Sequence, residues 1–147
     1  MKSIIRFSFL LIIVSLLFTA CGKYEDGPKF SLMPKSARLI NDWVIDAKYV
    51  NGTEDTLTDY DKAVTYSVQK DGKLEFIYSL GIISLTGTGT WAFSDSKESV
   101  VFSYSVSGTT YDQELVILRL TSKEFWGEET IEVGNISTVT EYHFVSK

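Results

Sequence analysis

From about Asp42 to the end, the chain is written in short apolar runs separated by turn residues. Within most runs apolar and polar positions alternate with period two, and β-branched and aromatic residues dominate, the composition that strands favour. The pattern predicts eight strands, over 42–50, 63–70, 73–80, 87–94, 98–106, 109–120, 124–133 and 137–146. Helical spacing is absent except around Ser36 to Ile40, where one short turn is expected.

The turns fix how neighbouring runs face one another, because a slip of one residue sends a whole apolar row to the other face. At Lys70-Asp71-Gly72 a two-residue turn would split the apolar rows between faces. A three-residue loop with Gly72 in the left-handed region instead pairs Val64 with Tyr78, Tyr66 with Phe76 and Val68 with Leu74. The second arrangement is expected. A four-residue loop at Asp95 to Glu98 sets Phe93 opposite Val100 and Trp91 opposite Phe102. A two-residue Ser107-Gly108 turn sets Tyr104 opposite Tyr111 and Val100 opposite Leu115. All three hairpins put their apolar rows on one face.

Loops this short imply antiparallel neighbours, since parallel pairing requires long crossovers. The fold class is therefore all-β, an eight-stranded antiparallel meander. Closing the meander into a barrel removes its exposed edges. An open meander folded as a sandwich is the alternative.

The front of the chain follows another pattern. Lys2 and Arg6 precede an uncharged run from Phe7 to Ala20, a positive n-region followed by an apolar h-region. The run is too short for a spanning helix, which needs about 20 residues. Leu17-Phe18-Thr19-Ala20-Cys21 resembles the lipobox of bacterial lipoproteins. That resemblance implies cleavage after Ala20 and acylation of the Cys21 thiol. Cys21 is the only cysteine, so no intramolecular disulfide can form. Two or more acyl chains hold a protein firmly to a bilayer where one does so only reversibly. The expected organisation is a signal peptide over 1–20, a Pro- and Gly-containing tether over 21–36 and a barrel domain over 37–147. Lys23, Glu25 and Asp26 behind the cysteine read as a solvated tether, and also resemble the acidic export tag of surface lipoproteins in Bacteroidota-type envelopes.

Asn41-Asp42-Trp43, the strand Gly87-Thr88-Gly89-Thr90-Trp91-Ala92-Phe93 and the stretch from Leu115 to Trp126 resemble small lipocalin-like envelope lipoproteins of Bacteroidota type. The resemblance covers most of residues 38 to 146. It implies a calyx-like, lipocalin-like barrel in the cell envelope, lipid-anchored and at the outer membrane before the inner, and it implies no particular ligand.

Charge narrows the partners. The chain carries −5, and removing residues 1–20 with Lys2 and Arg6 leaves 127 residues at −7. An acidic surface argues against nucleic acid and against docking on anionic lipid heads.

Chemistry for catalysis is sparse. His143 is the sole histidine, and beside Tyr142 and Phe144 in the last strand it is expected to face outward. One imidazole and no free thiol cannot build a triad or a typical zinc site. Glu54, Asp55, Asp59 and Asp61 read as a solvated acidic loop, without the glycine turn and terminal glutamate of a calcium loop. Glu124, Glu128, Glu129 and Glu132 read as an exposed acidic edge, with Glu128 and Glu129 on opposite faces. Phosphate loops, nucleophile elbows and dinucleotide fingerprints do not occur. No catalytic residue, metal or cofactor is expected, and the protein is expected not to be an enzyme.

The constellation with functional promise is aromatic. Tyr66, Phe76, Tyr78, Trp91, Phe102, Tyr104 and Tyr111 share one face by the registers above, and each buried phenol needs a hydrogen-bond partner. The row forms either a ligand cavity or a filled core. The expected functions follow that choice. One is a membrane-tethered barrel binding a small apolar or amphipathic ligand. The alternative is a non-enzymatic accessory protein with a filled core that meets an envelope protein partner.

Overall fold

The computed structural model describes residues 32–147, so the leader, Cys21 and the tether up to residue 31 lie outside the described residues. A short helix α1 (Lys35–Leu39) leads into β1 (Asn41–Val50), β2 (Thr53–Asp55), a second helix α2 (Asp59–Ala63) and β3 (Val64–Val68). There follow β4 (Lys73–Leu80), β5 (Ile83–Phe93), β6 (Ser99–Val106), β7 (Thr109–Leu120), β8 (Glu124–Val133) and β9 (Ile136–Ser146). Every neighbouring pair is antiparallel, and β9 returns to pair with β1. Strands β1 and β3 to β9 thus form a closed eight-stranded barrel, with β2 as an extra strand beside the end of β1. Closure excludes the open sandwich.

The three hairpin registers are as the apolar rows require. Val64 faces Tyr78, Tyr66 faces Phe76 and Val68 faces Leu74, across a loop with Gly72 at φ 72°. Trp91 faces Phe102, and Tyr104 faces Tyr111. Ser107 and Gly108 both take positive φ, as a two-residue turn that follows the strand twist demands. The eight strands match expectation except that β5 starts four residues earlier, at Ile83. Leu80 pairs with Ile83 around a tight Gly81-Ile82 turn. This tip projects past the core with Leu80, Ile82 and Ile83 exposed, so no buried face imposes alternation there. Strand β2 and helix α2 were not expected; they occupy the stretch read as an acidic loop.

Two irregularities aim side chains. A bulge in β1 between Ile45 and Ala47 shifts its register against β9. Ile45 faces Phe144, but beyond the bulge Lys48 faces Tyr142, so the inward row passes from an isoleucine to a lysine. A second bulge, in β7 between Ile117 and Arg119, keeps Ile117 and Leu120 buried.

The core fills one end of the barrel. Leu39, Trp43, Val68, Leu74, Val100, Leu115, Leu120, Phe125 and Phe144 are almost wholly buried there. Burying each large apolar side chain contributes about 1.5–3 kcal/mol. Helix α1 plugs this end: the Trp43 indole Nε1 donates to the Leu39 carbonyl at 2.7 Å, and the Arg38 guanidinium donates to the Leu120 carbonyl at 2.7 Å. The polar edge of the buried indole is thereby satisfied.

Gly87 and Gly89 sit at inward positions of β5 between Leu85 and Trp91, where β6 passes very close. A Cβ at Gly89 would overlap the Ser103 carbonyl oxygen, which is backbone and cannot swing away. Gly89→Ala is therefore expected to destabilise the barrel by about 3 kcal/mol, the cost of forced overpacking. Gly134→Ala, in open space at a turn, costs about 1 kcal/mol for its positive φ alone. Urea denaturation followed by tryptophan fluorescence checks both, and equal midpoints would contradict the close approach of β5 and β6.

Candidate functional site

At the end opposite α1 the interior is not filled. A cavity of about 300 Å³ opens there, lined by Tyr60, Phe76, Tyr78, Leu85, Tyr104, Val106 and Tyr111. Its walls are stacked rings. Phe76 and Tyr104 lie parallel, 4.8 Å apart at 3°, Tyr104 and Tyr111 stack at 5.6 Å, and Tyr60 stacks on Tyr78 at 5.6 Å. Offset stacks of this kind are worth roughly 0.5–1.5 kcal/mol beyond simple burial.

The seven aromatic residues singled out from sequence divide between cavity and core. Phe76, Tyr78, Tyr104 and Tyr111 line the cavity. Tyr66 lies buried beneath them, edge-on to Phe76 and Tyr104 and stacked on Phe102, so Tyr66 and Phe102 belong to the packed interior. Trp91 is further toward the plugged end, where its Nε1 donates to the Gln69 carbonyl at 2.8 Å. The shared face is real, but only its outer half is hollow. Burial, the largest cause, and then the neighbouring Tyr104 phenol push the Tyr66 phenol well above its ordinary value. Tyr142, inward on β9, is pushed up to about 12 by burial and then by the nearby charge of Glu129. These phenols stay protonated at neutral pH.

Leu85, Val106 and Tyr60 were missed by sequence reasoning. Leu85 follows from the same registers once β5 is extended, and Val106 continues the inward row of Tyr104 within the expected strand. Tyr60 comes from α2, which has a cap signal in Thr58-Asp59-Tyr60-Asp61. The Thr58 hydroxyl oxygen accepts from the Asp61 backbone N–H, while the Asp61 carboxylate accepts from the Thr58 N–H at 2.8 Å and its hydroxyl at 2.7 Å. This reciprocal cap corrects the solvated-loop reading for Asp61, which is buried; Glu54, Asp55 and Asp59 are exposed. The Lys48 ammonium, turned inward by the β1 bulge, bonds Asp61 at 3.1 Å and Asp55 at 3.2 Å. Burial alone would raise the Asp61 carboxyl, but the Thr58 and Lys48 hydrogen bonds and the lysine charge outweigh it and hold it below its ordinary value. Burial likewise opposes the Lys48 charge, and the two aspartates outweigh it and raise the ammonium.

The acidic-edge reading of β8 holds in part: β8 pairs with β9 along its length but with β7 only over Phe125–Glu128, which leaves Glu129 to Val133, with Glu132 exposed, on an edge. Glu124 holds Arg119 at 2.9 Å on the outer wall. Glu129 shares the inner phase of Phe125 and Gly127 and accepts a hydrogen bond from Gln113 Nε2 at 3.0 Å. Glu128 takes the opposite face, as expected from strand alternation. His143 faces outward, stacked on Trp126 at 4.0 Å with its Nε2 2.6 Å from Glu141. Among the described residues no three His, Cys, Asp or Glu side chains are grouped to hold a metal ion. Around the mouth, Ile82, Ile83, Val133 and Ile136 form an exposed apolar rim on two hairpin tips.

Because the folded Asp61 carboxyl is depressed, its stabilisation is fully present above the unfolded value near 3.9 and is lost as pH falls through the lower folded value. Lys48 acts in the opposite sense, its contribution present below about 10.4 and lost as pH rises through its raised value. Asp61→Asn is expected to cost about 2 kcal/mol near neutrality, the scale of hydrogen bonds to a charged group. It should also flatten the acid limb of a pH–stability profile measured by denaturation. An unchanged acid limb would contradict the role given to this carboxylate.

The chain matches no family model, no curated protein and no solved structure, so its function has to be read from the barrel itself.

Proposed function

We propose that this protein is a membrane-tethered lipoprotein of the cell envelope whose lipocalin-like barrel binds a small apolar or amphipathic ligand and performs no catalysis. The observation that carries the reading is the ring-lined cavity at the open end. Its volume of about 300 Å³ lies at the lower end of the roughly 300–1,000 Å³ span of ligand pockets. Small-ligand sites are mainly apolar with a few placed polar groups, and here three tyrosines on different strands and one on α2 bring hydroxyls to apolar walls. The exposed apolar rim supports the same reading, since it would ease passage of a greasy ligand between bilayer and cavity.

The tether rests on the lipobox-like Leu17 to Cys21 segment. Two acyl chains on Cys21 would fix the barrel to the membrane, each buried CH₂ contributing about 0.8 kcal/mol. The second reading, an accessory protein that presents the barrel to an envelope partner, is favoured by the exposed tips at Ile82 and Ile136. Crosslinking from those two positions in native cells tests it, and reproducible capture of one envelope protein is the supporting result.

The neutral fluorophore N-phenyl-1-naphthylamine is expected to bind the full chain in the micromolar range. Tyr111→Ala should weaken it about tenfold, the loss of one stacked ring, and Val106→Trp should block the cavity. Binding unaffected by both substitutions sinks the cavity reading. Mass analysis of protein from its native host should find Cys21 at the new amino terminus carrying at least two acyl chains, and a free thiol there removes the tether.

A further inference from the structure

The cavity has a chemical bias in its charged and polar surroundings. The inward rows and α2 beside its tyrosines carry Lys48 from β1, Asp61 from α2, Gln113 from β7, Glu129 from β8 and Tyr142 from β9, none of which lines the cavity itself. Lys48 is the one cation in this set, and Asp55 and Asp61 both hold it within 3.2 Å. Glu129 has a neutral partner, the Gln113 amide at 3.0 Å. The other end of that amide, Gln113 Oε1, is buried and accepts no hydrogen bond. The two described arginines are spent elsewhere: Arg38 bonds a carbonyl at the plugged end, and Arg119 pairs with Glu124 on the outer wall.

A carboxylate-headed ligand is held most strongly by a cation. Here the lysine is already neutralised by two aspartates, and Glu129 would repel a second anion. The same site suits a donor. Glu129 supplies negative charge, Gln113 Oε1 lacks a proton to accept, and the faces of Tyr104, Tyr111, Tyr60 and Tyr78 attract cations through their ring quadrupoles. We infer that the cavity takes amphipathic molecules with an ammonium or other hydrogen-bond-donating head and an apolar, ring-compatible body, and discriminates against fatty acids and other carboxylates. This rests on the ligand-binding reading above and specifies its substrate class.

Three probes with one body separate the head group from the body: 4-phenylbutylammonium, 4-phenylbutanol and 4-phenylbutanoate. Each is titrated against N-phenyl-1-naphthylamine on the full chain in phosphatidylcholine vesicles, with vesicles alone as the blank. The ammonium is expected to compete at least about tenfold more tightly than the carboxylate, with the alcohol between them. Glu129→Gln should shrink that ratio to about threefold or less, whereas Glu128→Gln, on the outer face, should keep it. Equal or reversed affinities of the two ions, with the alcohol still binding, overturn the head-group inference and leave the cavity reading standing. A tenfold ratio that survives Glu129→Gln overturns it as well. Failure of the naphthylamine and all three probes to bind overturns the cavity reading itself.

Discussion

The hydrogen bonds between β1 and β9 are the constraint from which the rest of this molecule follows. Without them the meander would end in two open edges and its apolar face would need another layer to cover it. With them the sheet covers itself, and all inward rows must share one interior. Eight strands enclose a space about as wide as two facing layers of side chains, so a few large or small residues decide whether it is full or hollow. The pair of glycines at 87 and 89 belongs to the same constraint, since they let β5 and β6 approach where the wall curves.

That interior is divided along the barrel axis. Toward α1 it is a packed core in which Trp43, Phe125 and Phe144 interlock and the helix closes the end. Toward the hairpin tips the same inward rows continue as Tyr78, Tyr104 and Tyr111, which line a cavity of about 300 Å³. Helix α2 covers one side of the mouth and brings Tyr60 to the rings. The asymmetry leaves one end packed and the other hollow, and it places tyrosines where the space is open.

The polar half of the mouth depends on a single backbone irregularity. Had β1 run without its bulge, Ala47 would point inward and Lys48 to solvent, and the Asp61 carboxylate would cap its helix with no cation beside it. The extra residue instead buries an ammonium between two carboxylates, an arrangement that costs desolvation and is retained only with several hydrogen bonds in place. It ties β1, β2 and α2 together beyond the point where the pairing of β1 with β3 ends. Glu129 and Gln113 then remain as a hydrogen-bonded charged and polar pair on the inward rows beside the cavity.

The all-β class, the meander order, the three hairpin registers and the aromatic inner face are legible in the chain alone, because period-two alternation and turn chemistry are local and each turn admits one register that keeps the apolar rows together. The chain also marked the outward His143 and the opposed directions of Glu128 and Glu129, for the same reason. Only the tertiary structure decided closure over sandwich, since the β1–β9 pairing joins the two ends of the domain and leaves no local trace. Which rings are core and which are cavity was likewise a three-dimensional matter: Tyr66 and Tyr104 have the same pattern in the chain, and their depth below the mouth separates them. The bulge that turns Lys48 inward, the burial of Asp61 and the arrival of Tyr60 from α2 were hidden because each depends on a distant strand for its meaning.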